Sequence, residues 1–115
     1  MSYLNVFRYN LREDCDVVAY DALAVEMYGL AASNPDYEFE SIERVAESDR
    51  SGVVLERFGS LEGAKRWAKC PEHRAAMKRG RAEFYESYAG MGAVLDHEYR
   101  FDRALNVSQP SPFAD

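Results

Sequence analysis

Tyr37-Glu-Phe-Glu-Ser-Ile-Glu-Arg-Val45 alternates with the period of a β-strand. Glu47-Ser-Asp-Arg-Ser-Gly52 follows, a run of small and polar residues that turns the chain. Val53-Val-Leu-Glu-Arg-Phe58 then returns as a second strand, so the three pieces predict a hairpin in the middle of the chain. What flanks this hairpin decides the fold.

Upstream, Tyr3-Leu-Asn-Val-Phe-Arg-Tyr9 is rich in aromatic and β-branched residues and reads as a strand. Leu4 and Val6 share one face, and Tyr3, Asn5, Phe7 and Tyr9 the other. A helix is predicted from Val17 to about Ala32, with apolar residues at 17, 20, 24, 27, 28 and 31. Asp14 or Asp16 would cap it, and Ser33-Asn34-Pro35 would end it. Downstream, Ser60 caps a short helix that runs through Trp67 to about Cys70. Pro71 suits a first helical position, so a second helix restarts there and is expected to reach about Tyr88. Gly90 and Gly92 would stop it, leaving Ala93 to Phe101 as the last strand.

The order is β-α-β-β-α(α)-β. It predicts an α+β, ferredoxin-like fold, a four-stranded antiparallel sheet with helices on one face. Residues 1–101 form this domain, and residues 102–115, with two prolines and no period, read as a mobile tail or an arm lying on a partner. Neither face of the first strand is plainly polar, so the open side of the sheet needs a cover. A second copy of the same sheet, in a two-fold homodimer, supplies one.

Length and composition agree with one globular domain. The chain has 115 residues, 47% of them apolar and 30% charged, with only seven glycines and four prolines. Disordered, collagenous and membrane-spanning chains are excluded by those figures. Acidic residues outnumber basic ones 20 to 14, which argues against a duplex nucleic acid partner. No signal peptide is visible, and Cys15 and Cys70 lack CxxC spacing, so free thiols in a cytoplasmic protein are expected.

Several chemistries lack their motifs. His73 and His97 are the only histidines, and neither has a ligand-spaced partner, so no metal site is expected. Gly90-Met-Gly92 lacks the third glycine of a dinucleotide loop, and no GxSxG elbow occurs. Aromatic residues are in excess instead. Asn5 sits mid-strand among Tyr3, Phe7 and Tyr9, where an amide is either satisfied by a neighbour or aimed at a ligand. Trp67 carries an indole N–H that needs a partner when buried. His73 falls in the first turn of its helix, whose dipole favours a neutral imidazole. His97, between Asp96 and Glu98, reads as a solvated or dimer-contact histidine. Arg74, Lys78, Arg79 and Arg81 read as the exposed face of the last helix, with Arg81 able to reach an acidic substrate.

The segment Phe58-Gly-Ser-Leu-Glu-Gly-Ala-Lys-Arg-Trp67-Ala-Lys-Cys-Pro71-Glu72-His73-Arg74-Ala-Ala-Met-Lys-Arg-Gly80-Arg81 resembles the antibiotic biosynthesis monooxygenase domain family. Domains of that family carry an aromatic residue and Ser before a short helix, then Trp, Pro-Glu-His-Arg and Gly-Arg. The resemblance covers all but the tail. It implies a homodimer whose two sheets close a dimeric α/β barrel, with a cavity between each sheet and its own helices. It also implies a monooxygenase without a bound cofactor, in which an aromatic, quinol or polyketide-like substrate itself supplies electrons to O2. Asn5, Trp67 and His73 are the expected catalytic residues. Tyr9, Tyr37, Phe84 and Tyr88 are expected to bind substrate. A haem-degrading branch of the family is similar at Asn5 and Trp67, but it has a histidine where this chain has Met77, so haem breakdown is not expected. The family also includes non-oxidative, cyclase-like members, which leaves binding or cyclisation as the alternative.

Overall fold

A computed structural model describes residues 1–113. Strand β1 (Tyr3–Leu11) leads through a tight turn into helix α1 (Val17–Ser33). Of the two candidate caps it is Asp16 that serves, its carboxylate accepting the Ala19 N–H at 3.0 Å. Pro35–Tyr37 forms one 3₁₀ turn, and Glu38 follows in the left-handed region at φ 51°. The hairpin strands are β2 (Phe39–Ser48) and β3 (Ser51–Phe58). The Glu38 carboxylate reaches Ser60, whose Oγ caps helix α2 (Leu61–Lys69) by accepting from Gly63 N–H at 3.0 Å. Pro71 opens helix α3 (Pro71–Glu83) as its first residue.

The sheet order is β2-β3-β1-β4 and every neighbouring pair is antiparallel, which is the ferredoxin-like arrangement. Helices cover the face that carries the odd residues of β1. Two buried clusters hold them there: Tyr9, Leu11, Tyr20, Val54 and Phe84 at one end, and Met27, Ala31, Phe58, Trp67 and Cys70 at the other. The large apolar side chains among them each stabilise the fold by about 1.5–3 kcal/mol on leaving water. Cys15 and Cys70 are free thiols. Among the described residues no helix is long and apolar enough to cross a membrane.

The last strand corrects the sequence reading. Helix α3 ends at Glu83, well short of Tyr88, and β4 spans Tyr85–Val94 with both Gly90 and Gly92 inside it. Those glycines are not stop signals. They stand opposite Phe7 and Asn5 on the helix-facing side, and a Cβ on Gly92 would fall 1.7 Å from the Tyr3 hydroxyl. At Gly92 the strand gives up a side chain so that the Tyr3 ring can lie over it, whereas Gly90 has room for a Cβ in ordinary contact with Phe7. Residues beyond Val94 are not a continuation of β4. Arg100–Asp102 and Val107–Gln109 pair as strands β5 and β6, so much of the segment read as a mobile tail or partner-bound arm forms a small hairpin. The last two residues of that predicted tail, 114 and 115, lie outside the described residues.

Gly80 is another close approach. A Cβ there would lie 2.5 Å from Cε2 of Tyr85, and that ring is held by Phe7, Tyr20 and Tyr88 at centroid distances of 5.7, 5.5 and 5.2 Å. Alanine favours a helix over glycine by about 1 kcal/mol. Overpacking against a ring that cannot retreat outweighs this, so Gly80→Ala is expected to lose about 1–3 kcal/mol of stability in urea denaturation. A raised midpoint would show that the Tyr85 ring yields.

Candidate functional site

Between the two buried clusters lies a cavity of about 300 Å³. Its floor is the sheet, where Tyr3, Asn5 and Phe7 of β1 stand beside Val54, Glu56 and Phe58 of β3. Its roof comes from the helices: Met27 and Tyr28 of α1, Trp67 of α2, and His73 and Met77 of α3. The alternation along β1 explains the floor, since every second residue turns toward the helices. Ligand cavities of this kind are mostly apolar, with a few convergent polar groups, and this one sits at the small end of their range.

Asn5 and Glu56 are direct partners in the β1–β3 register, and Asn5 Nδ2 donates to Glu56 Oε1 at 2.8 Å. The mid-strand amide is thus satisfied by a cross-strand carboxyl. Burial raises the Glu56 proton affinity above the ordinary carboxyl value, with the Asn5 bond opposing it. Tyr28 shares the cavity, and burial followed by the nearby Glu56 pushes its phenol up, so it remains a donor. Tyr20 and Tyr85 link their hydroxyls at 3.1 Å along one wall.

On the roof, Trp67 and His73 stack with ring centroids 4.4 Å apart and planes 21° from parallel. Trp67 is only 4% exposed. Burial lowers the His73 proton affinity, with the Trp67 backbone opposing the shift, so the imidazole is neutral near pH 7. His73 Nδ1 is buried without a hydrogen-bond partner. Met77 also lines the cavity. His73 and Met77 extend into a shallower groove edged by Arg74, Lys78 and Arg81, which gives this side a positive rim.

The structure therefore brings Asn5, Trp67 and His73 to one cavity. None of the four predicted substrate-binding aromatics is among the residues that line it. Tyr9 is buried between the sheet and α1, its hydroxyl accepting from Arg44 Nε at 2.8 Å. Tyr37 packs on Trp67 with ring centroids 5.2 Å apart. Phe84 packs on Tyr20 at 5.6 Å. Tyr88 lies on the edge strand β4, 39% exposed, with Arg81 donating to its hydroxyl at 3.3 Å. The aromatic walls are instead Tyr3, Phe7, Phe58 and Tyr85. Glu56 and Tyr28 went unassigned in the sequence reading. Glu56 has a visible signal, an acid between Val54 and Phe58 at the same strand parity. His97 lies away from the cavity, hydrogen-bonded to Asp96 and packed against Tyr99 and Phe113. Among the described residues no three His, Cys, Asp or Glu side chains gather at metal-binding distance.

A ferredoxin-like α+β domain with a cavity between its sheet and its own helices is the class this geometry defines. The chain belongs to the family of the uncharacterised Bacillus subtilis protein YqjZ, with which it is 34% identical over 87 residues, 76% of this chain and 75% of the relative. No family model matches it. Among solved structures it is similar to SnoaB of Streptomyces nogalater, described as a cofactor-independent oxygenase, with a TM-score of 0.70 and 12% identity over 84% of this chain and 95% of that one. It is also similar to a dimeric ferredoxin-like protein of unknown function from Thermobifida fusca, with a TM-score of 0.63 and 14% identity over 83% of this chain and 92% of that one. At these identities the structures share the fold with it, and the chemistry is a separate question.

Proposed function

We propose that this protein is a homodimeric monooxygenase of the antibiotic biosynthesis monooxygenase type, oxidising an aromatic, quinol or polyketide-like molecule with O2 and no bound cofactor. The observation that carries the reading is the cavity itself: aromatic walls with polar groups placed at two ends. Asn5 and Glu56 stand on the floor, and Trp67 and His73 on the roof. A fold shared with a cofactor-independent oxygenase supports it.

The chemistry asks for little more. For an aromatic ketone with an acidic methylene, the substrate loses a proton to the cavity wall. The electron pair of the broken bond spreads over the ring system and onto its oxygen. That anion reduces O2, and a carbon–oxygen bond forms. One oxygen atom stays on carbon and the other leaves as water with the two methylene hydrogens, so that CH2 plus O2 gives C=O plus H2O. The protein supplies a dry space, a proton acceptor, and donors such as the Trp67 indole and the Tyr28 phenol for the anion.

Oxygen uptake by the purified protein with a panel of quinols and anthrones tests this reading. Uptake is expected, with isotopically labelled O2 placing one labelled atom in the product. A ligand that binds in the cavity without uptake would overturn it in favour of a binding or cyclase role. The dimer draws on a separate observation, the apolar face on the open side of the sheet, where Val45, Leu55 and Met91 are 55, 37 and 72% exposed.

A further inference from the structure

We infer that Glu56 is the proton acceptor of the cavity, with Asn5 as the residue that positions it. The inference rests on the cavity being the substrate site, as proposed above, and it adds the group that starts the reaction. In the step, the Glu56 carboxylate removes a proton from the acidic methylene of a bound aromatic ketone. The C–H bond breaks, its electron pair moves onto the ketone oxygen, and the proton rests on the carboxyl. Nothing is oxidised in this step, so it needs no co-reactant.

Three observations carry it. First, the carboxyl is held by one oxygen only: Asn5 donates to Oε1, no donor among the described residues reaches Oε2, and Glu56 lines the cavity. Second, Glu56 has no cation. Glu38, Glu40, Glu47 and Glu98 all pair with arginines, whereas no Lys or Arg among the described residues pairs with Glu56. An unpaired carboxylate on a largely apolar floor is costly, and a glutamine would accept the Asn5 bond equally well without a charge. The acid therefore has a use other than holding β1 to β3. Third, the competing base is partly occupied: His73 turns one face to Trp67, and its Nδ1 is buried without a hydrogen-bond partner. Burial of Glu56 adds to this, because it brings a carboxyl nearer the proton affinity a base needs at neutral pH.

Proton removal can be watched without oxygen. Anthrone in deuterated buffer under argon exchanges its methylene hydrogens, and the rate is read by proton NMR. The protein is expected to accelerate this exchange. Glu56→Gln is expected to slow the protein-dependent rate by about 100-fold or more. Anthrone binding, read by quenching of Trp67, the sole tryptophan, is expected to change less than about threefold, since the variant keeps the Asn5 bond and the cavity shape. Glu56→Asp, with its carboxylate drawn back by one methylene, is expected to lose about tenfold or more and carries the test if the glutamine variant does not fold. Exchange unchanged in the variants, or no acceleration by the natural chain, overturns the inference. Exchange that depends on Glu56 without any oxygen uptake in air leaves this inference standing and removes the monooxygenase reading instead.

Discussion

Trp67→Ala is expected to lower the unfolding free energy by about 3–5 kcal/mol. The indole is 4% exposed and ties the helices to the sheet. It packs with Met27 of α1 and Phe58 of β3, lies against Tyr37 on one side, and stacks on His73 of α3. Large-to-small changes are worst where the surroundings cannot close in, and here the new void would merge with a cavity of about 300 Å³ that the fold already keeps open. A domain of this size has about 5–15 kcal/mol in total, so the loss is a large share. Trp67→Phe keeps an aromatic plate between Tyr37 and His73, and is expected to lose about half as much. Guanidinium unfolding followed by far-ultraviolet circular dichroism measures both. A loss below about 1 kcal/mol for the alanine variant would mean that the α2–α3 roof stands without its indole.

The two variants also separate packing from chemistry. Without Trp67, His73 loses the ring that shields it, and its proton affinity should return toward that of a solvated imidazole. If the role of Trp67 is to donate to a substrate oxygen, Trp67→Phe loses turnover while remaining folded. If it only packs, turnover survives.

The sequence told most about the parts governed by local rules. The alternation of residues 37–45 and the polar turn at 47–52 gave the central hairpin, and Asp16, Ser60 and Pro71 marked helix starts because capping is a matter of neighbours. Parity along β1 put Asn5 on the cavity side. The α3–β4 boundary was hidden because Gly90 and Gly92 look like breakers, whereas both lie inside the strand and the small size of Gly92 serves Tyr3 of the adjacent strand. That reason is tertiary and leaves no local mark. The substrate aromatics were hidden for a related cause. Tyr9, Tyr37, Phe84 and Tyr88 have the right chemistry, but which ring faces a cavity and which stands behind it depends on where the helices settle over the sheet. Glu56 was overlooked because a charge in a strand suggests solvent, and only its parity with Val54 and Phe58 contradicts that.

The second large effect concerns the open face of the sheet. Leu55, Val6 and Met91 are register partners across β3, β1 and β4, forming one apolar row, and Val45 and Val53 pair in the next. Helices cover only the opposite face. A monomer would leave this patch in water, where each exposed apolar side chain forfeits about 25 cal/mol per Å². The two-fold homodimer proposed above covers it with its own copy, and in a self-complementary interface each side chain acts twice. The double variant Leu55→Glu, Met91→Glu would therefore bring four carboxylates into one desolvated layer. Its dimer dissociation constant is expected to rise by more than about 100-fold, roughly 3 kcal/mol. The protomer should still fold, because Leu55 and Met91 belong to neither buried cluster. Charged pairs at the edges of the patch, Arg8 with Glu47 and Arg57 with Glu40, would fix how the two sheets face each other without adding much affinity. Sedimentation velocity at micromolar concentration is the measurement. A natural chain that sediments as a monomer sinks the dimer, and a double variant that still sediments as a dimer moves the interface elsewhere. If the double variant is monomeric yet its cavity binds aromatic ligands unchanged, each protomer carries a complete site, and the dimer serves to keep the sheet's other face dry.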